Sequence, residues 1–196
     1  GIRRKGRVSQ KLEKYSVIQA LKALDRCHIA LIVVDAEEGI TDQDLTIAGY
    51  AHERGRAIII VVNKWDLLKK DNKTMSEYIK DVRAAFRFLP DSPIHFVSAL
   101  IGQRINKIMA DVEMVNDEFN RKVTTSALNK VLKDAEYNHQ PPMYRGQRLK
   151  FFYMTQTAVR PPTFLVFVNK AEGVHFSYER YLMNCIRQAF GFVACP

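Results

Sequence analysis

Ala57-Ile58-Ile59-Ile60-Val61-Val62-Asn63-Lys64-Trp65-Asp66 decides how the rest of this 196-residue chain is read. Its six apolar residues, mostly β-branched, make a buried strand. The strand delivers Asn-Lys-x-Asp at its carboxyl end, where open α/β sheets gather their ligands. A carboxylate there presents two acceptor oxygens, which suit a ring N–H and an exocyclic amine side by side. Guanine offers that donor pair and adenine does not. Asp66 is therefore the candidate base selector. The Lys64 stem is placed to lie across the base, and the Asn63 amide to tie neighbouring loops together.

Upstream, His28–Val34 is a continuous apolar run ending in Asp35, the pattern of a parallel strand covered on both faces. At a strand end Asp35 suits a metal carboxylate or a turn or helix-approach residue. Tyr15–Arg26 carries Val17, Ile18, Leu21 and Leu24 at helical spacing. Thr41-Asp42-Gln43-Asp44 predicts a capping box opening a helix that Gly55 stops. Downstream, Thr74 opens a helix closed by Pro90, Ile94–Val97 is a short strand, and Ile105 to Phe119 returns to helical spacing. Three buried strands separated by helices predict a parallel sheet. Ser98-Ala99-Leu100 follows the third strand, 35 residues beyond Asn63. A turn there can present a backbone N–H to the guanine keto oxygen. It would repel the adenine amine as well, so two elements read one base.

The pattern changes near Arg121. Leu128, Val131, Leu132 and Ala135 mark a helix, and Asn138–Arg148 is a Pro- and Gly-bearing loop. Strands are expected at Leu149–Thr157 and Thr163–Val168, followed by a helix capped by Ser177. Tyr153, Phe164 and Phe167 are expected in the core. Helix, strand, strand, helix is an α+β unit, and neither a repeat nor a low-complexity segment occurs.

The net charge of +9 is unevenly placed. Residues 1–14 carry six basic and one acidic side chain, residues 15–120 carry 13 and 16, and residues 121–196 carry 11 and four. A basic C-terminal segment suggests a polyanion contact, with a solvated basic face as the alternative. The three cysteines are odd in number and lack metal-ligand spacing, as expected of reduced thiols in a cytosolic protein. Neither a signal peptide nor a membrane anchor is read.

No Gly-x-x-x-x-Gly-Lys-[Ser/Thr] loop occurs, so these residues can read a base but lack the cradle that grips phosphates and holds Mg²⁺. The opening Gly1-Ile2-Arg3-Arg4-Lys5 resembles the end of the γ-phosphate-sensing segment Asp-Thr-Ala-Gly-Ile-Arg-Arg-Lys of the bacterial double-G-domain GTPases of the Der (EngA) family. Further blocks agree in order: Glu13–Ile18, Glu38–Leu45, Val61–Leu67, Leu149–Tyr153, Arg160–Phe164 and His175–Leu182. The likeness covers essentially the whole chain.

The resemblance implies an α/β P-loop-NTPase-type G domain, present as a truncated parallel sheet with flanking helices, followed by an α+β KH-like domain. It places a partial second G domain at 1–120, without P-loop or first switch, and a KH-like domain at 121–196 that stops short of its final strand. The edge at His28–Asp35 would then lie open where the P-loop strand belongs. Implied ligands are GTP and GDP at Asn63, Lys64, Asp66, Ser98, Ala99, Leu100, Gly1 and Ile2. Mg²⁺ belongs to the intact protein through residues not in this chain, and K⁺ is the candidate monovalent ion. Ile2 stands where many small GTPases carry a water-orienting Gln, so no residue here is named catalytic. The basic run Arg3–Lys14 resembles a nucleotide-responsive switch.

The implied role is GTP hydrolysis by the intact protein in large ribosomal subunit biogenesis, in the cytoplasm, as a monomer docking on the subunit and its rRNA. The 196-residue chain alone is expected to be inactive. Lys150, Arg160, Lys170, Arg180 and Arg187 are the candidate rRNA contacts. Asn169-Lys170-Ala171-Glu172-Gly173 stands in place of the KH signature Gly-x-x-Gly, which favours contact by shape and charge over sequence reading. The alternative is a non-enzymatic RNA- or ribosome-binding module with a structural G-domain remnant.

Overall fold

The computed structural model describes residues 10–69, 71 and 73–196, with side chains from Ile18 onward. Gly1, Ile2 and the first part of the basic run lie outside the described residues. The chain divides into two compact units, one running to Asn116 and taking in Ala194–Pro196, the other Asp117–Val193.

In the first unit the order is α1 (Gln10–Arg26), β1 (Ile29–Asp35), α2 (Asp42–Glu53), β2 (Ala57–Asn63), α3 (Thr74–Ala85), β3 (Ile94–Phe96) and α4 (Ile105–Phe119), the last running on into the second unit. The three strands are parallel, in the order β1-β2-β3. The expected capping box forms: Thr41 Oγ1 accepts from Asp44 N and the Asp44 carboxylate accepts from Thr41 N. Gly55, at φ 67°, ends α2 in a backbone region that other residues seldom enter. Helix α3 opens at Thr74 as expected and departs from expectation at its end. Asp71 supplies its first acceptor, taking Thr74 N at 2.7 Å, and the helix stops at Ala85 rather than at Pro90.

Every residue from Ala57 to Val62 is buried, each large one worth about 1.5–3 kcal/mol relative to exposure. On one face Ala30, Ile32, Val34, Ile58, Ile60 and Val62 pack with Leu24 of α1, Ala48 and Ala51 of α2, and Val82 and Phe86 of and after α3. Strand β1 corrects the sequence reading. Its second face is not covered, since Leu31 is 43% and Val33 56% exposed. Among the described residues β1 has a neighbour on one side only, so an apolar run is here an edge strand.

The second unit holds α5 (Thr125–Asn138), β4 (Met143–Tyr144), β5 (Gln147–Arg148), β6 (Phe151–Val159), β7 (Pro162–Val168), a short 3-10 turn and α6 (Phe176–Phe190). Strands β6 and β7 form an antiparallel hairpin. Helices α5 and α6 bury Leu128, Leu132, Tyr178, Leu182 and Ile186 with Phe151 and Met154 of β6. The Asn129 side chain mimics a further strand, donating to Met154 O and accepting from Met154 N, both at 3.0 Å.

Three expectations are corrected here. Tyr153 and Phe167 are not core: they face each other across the hairpin, 41% and 48% exposed, because strand alternation turns them away from the face holding Met154. Phe164 is half-buried, edge-on to Phe192. The loop read at Asn138–Arg148 contains the β4–β5 hairpin, whose turn residues Arg145 and Gly146 both have positive φ, as tight hairpins need. Helix α6 is capped by the His175 ring, which accepts from Ser177 N, rather than by Ser177.

Candidate functional site

The register of the parallel sheet sets Asp35 at the end of β1 beside Asn63 at the end of β2. Backbone bonds then fasten the turns beyond. Ala36 N donates to Asn63 O at 2.9 Å, Val97 N to Val62 O at 2.9 Å, and Trp65 N to Val97 O at 3.0 Å. These bonds continue the sheet past its last formal residues and bring the Asn63–Asp66 turn against Ser98–Leu100.

The expected tie between the Asn63–Asp66 turn and the Ser98–Leu100 turn is present. Ala99 N donates to Asn63 Oδ1 at 3.0 Å. With the Ala99 N–H engaged, the Leu100 N–H is the next backbone donor along the turn. Ser98 is fully buried and held by two backbone bonds to Gln103, at 3.0 and 3.2 Å. Its hydroxyl and Asp66 Oδ1 are both shielded from solvent without a hydrogen-bond partner among the described residues. An orphaned carboxylate oxygen is costly to keep, since burying an unpaired charged acceptor forfeits hydration. The guanine donor pair would satisfy it, so the residues present fit that base.

Lys64 takes a left-handed backbone, φ 60°, which bends the chain sharply as it leaves β2. Its ammonium pairs with the Asp35 carboxylate. That partner lowers the Asp35 pKa below the usual carboxylate range, chiefly through the Lys64 hydrogen bond. Trp65 points the opposite way and is buried, tilted on Phe96 at 4.4 Å and edge-on to Tyr78 at 5.5 Å. It anchors the turn from beneath. The sequence reading passed over both Trp65 as anchor and Asp35 as the partner of Lys64. The indole in the otherwise polar motif was a signal for the first, while nothing short of register pointed to the second. Among the described residues no three His, Cys, Asp or Glu side chains gather as a metal site.

The five candidate cations of the second unit are not brought together. Lys150 and Lys170 lie at one end of the β6–β7 hairpin, where Lys150 N donates to Asn169 Oδ1 at 3.0 Å and Asn169 N to Lys150 O at 3.1 Å. Arg148, which the sequence reading omitted, joins them through Asn169 Nδ2 donating to its carbonyl. Arg160 sits in the turn at the opposite end, roughly 30 Å along the strand at about 3.3 Å per residue, with its guanidinium on Asn120. Arg180 and Arg187 are on α6, the former over the Phe176 ring. Gly173 packs so closely that a Cβ would come within 2.6 Å of Tyr144 Cγ. The loop standing in for Gly-x-x-Gly is thereby closed on its own unit. No described helix is long and apolar enough to cross a membrane.

A family model for the KH-domain-like C-terminal domain of EngA bacterial GTPase enzymes matches residues 122–196. A second, for the elongation factor Tu GTP binding domain, matches residues 15–138. The two overlap on α5, which packs in the second unit. Over all 196 residues the chain is 67% identical to GTPase Der of Syntrophotalea carbinolica and 52% identical to GTPase Der of Geotalea uraniireducens. It covers 45% and 44% of those two proteins, so it spans less than half the length of the curated relatives it matches.

Proposed function

This chain belongs to the GTPase Der (EngA) family, as a G domain followed by an EngA KH-like domain, and we propose that its first unit is the base-reading half of a guanine-nucleotide site. The observation that carries this is Asp66 Oδ1, a shielded carboxylate oxygen with no partner among the described residues, at the end of a strand buried along its length. Asp66 accepts the ring N–H and exocyclic amine of guanine, the Lys64 stem covers one face of the base, and Asn63 ties the turn to Ala99. The Leu100 amide stands next in line for the keto oxygen. Gly1 and Ile2 belong to the γ-phosphate-sensing turn of the intact site.

In the intact protein this site binds GTP and GDP, with Mg²⁺ on the phosphates and K⁺ as the candidate monovalent ion. Neither has ligands assigned in this chain, and the 196 residues alone do not hydrolyse GTP. The second unit contacts rRNA of the large ribosomal subunit by shape and charge, with nucleotide state controlling docking in the cytoplasm. Lys150 and Lys170, adjacent at one end of the hairpin, are the best supported of its candidate cations.

The test of the base reading is Asp66→Asn in the full-length protein, with the corresponding aspartate of the first G domain also replaced. An asparagine amide offers one donor and one acceptor, matching xanthine, which carries an oxygen in place of the exocyclic amine. GDP binding is expected to weaken by about 100-fold or more while xanthosine diphosphate binding appears. Unchanged GDP affinity would sink the reading.

A further inference from the structure

We propose that Asp35 is a positioning residue for the guanine nucleotide: it holds the Lys64 ammonium at the end of β1 and keeps it off Asp66. The inference rests on the base-reading role of the Asn63–Asp66 turn. Lys64 and Asp66 are two residues apart in a sharp turn, and an unrestrained lysine beside a carboxylate pairs with it. Such a pair would occupy the oxygens that the base requires. In the structure the ammonium is instead on Asp35, and Asp66 Oδ1 keeps no partner among the described residues.

Asp35 is itself firmly set. Its register partner is Asn63, its Oδ1 accepts from Glu37 N at 3.0 Å, and its carbonyl accepts from Gly39 N at 2.9 Å in a turn that Gly39 completes at φ 80°. The carboxylate that grips the lysine is thus fixed by the adjacent strand and not by the loop that reads the base. With the ammonium anchored there, the methylene stem is drawn along the carboxyl edge of the sheet from β2 toward β1. That path gives the base a preset apolar surface and removes the entropy of ordering a long side chain on binding. The depressed Asp35 pKa, owed first to Lys64, agrees with a persistent pair.

The test compares GDP affinity of Asp35→Asn, Lys64→Ala and the double variant in the full-length protein, with the first G domain disabled for base reading. Asp35→Asn is expected to weaken GDP by roughly 3- to 10-fold, as for one long side chain left unordered. The double variant should lose no more than Lys64→Ala alone, because Asp35 acts only through the lysine. Asp35→Glu, which restores the charge, should recover most of the loss and also controls for misfolding of the neutral variant. Wild-type affinity in Asp35→Asn, or additive losses in the double variant, would overturn the proposal. Asp66→Ala is run alongside. Loss of GDP binding there, with Asp35→Asn unaffected, removes the role of Asp35 alone, whereas GDP binding that survives Asp66→Ala removes the base reading and this inference with it.

Discussion

In the first unit the candidate contacts converge on the ends of two adjacent strands, whereas in the second the candidate cations are spread over both ends of a hairpin and along a helix. The difference follows from strand direction. Parallel strands put all their carboxyl ends at one edge, so Asp35, Asn63 and the turn after β3 become neighbours without any being close in sequence. In an antiparallel hairpin the chain leaves at one end and returns to it, so Lys150 before β6 and Lys170 after β7 share one end, while Arg160 in the connecting turn lies at the other. Convergence supports a small, shaped ligand. Dispersal supports an extended polyanion, which meets charges at several points.

The largest effect that would break this contrast is expected in the core beneath the convergent site. Phe86→Ala removes a ring that is 1% exposed and should cost about 3–5 kcal/mol in chemical unfolding, with loss of GDP binding at temperatures where the wild type still binds. A loss under 1 kcal/mol would mean the site does not depend on that packing. Next in size, Gly173→Ala drives a methyl into Tyr144 and should cost about 1–3 kcal/mol, lowering RNA binding only as far as it unfolds the second unit. Full stability would show that the loop is open enough to clamp a ligand after all.

A smaller effect separates the two ends of the hairpin. Replacing Lys150 and Lys170 together by alanine should reduce the slope of log affinity for rRNA against log salt by about 2, the pair acting as two phosphate contacts, while Arg160→Ala leaves the slope unchanged. Equal changes from both ends would erase the distinction. The smallest effect is a pH limb. The folded-state pKa of Asp35 is depressed, so its contribution is complete above the ordinary carboxylate value and is lost as pH falls through the depressed one. Asp35→Asn should therefore flatten the stability curve only on its acid side, below about pH 4, in acid titrations followed by circular dichroism.

Legibility in the sequence followed the range over which each feature is determined. The β2 strand, the Thr41 capping box and the helix over Ile105–Phe119 depend on a few adjacent residues, and all were read correctly from them. The tie of Asn63 to the Ser98–Leu100 turn was legible for the same reason, with spacing supplying the second element. Exposure was not. Leu31, Val33, Tyr153 and Phe167 have the composition of core residues, but a strand cannot record whether a layer lies over its second face. The Asp35–Lys64 pair stayed hidden because it needs the register between two strands 28 residues apart in sequence, Asp35 opposite Asn63.

Trp65 gives the turn a property beyond anchorage. It is the only tryptophan among these 196 residues, and it sits in sequence between Lys64 and Asp66, packed on Phe96 and Tyr78. With excitation beyond the tyrosine band, emission from these residues therefore comes from a single indole beside the proposed ligand turn. The proposed binding of a nucleotide at that turn would thus be testable optically, without a label and without altering the nucleotide.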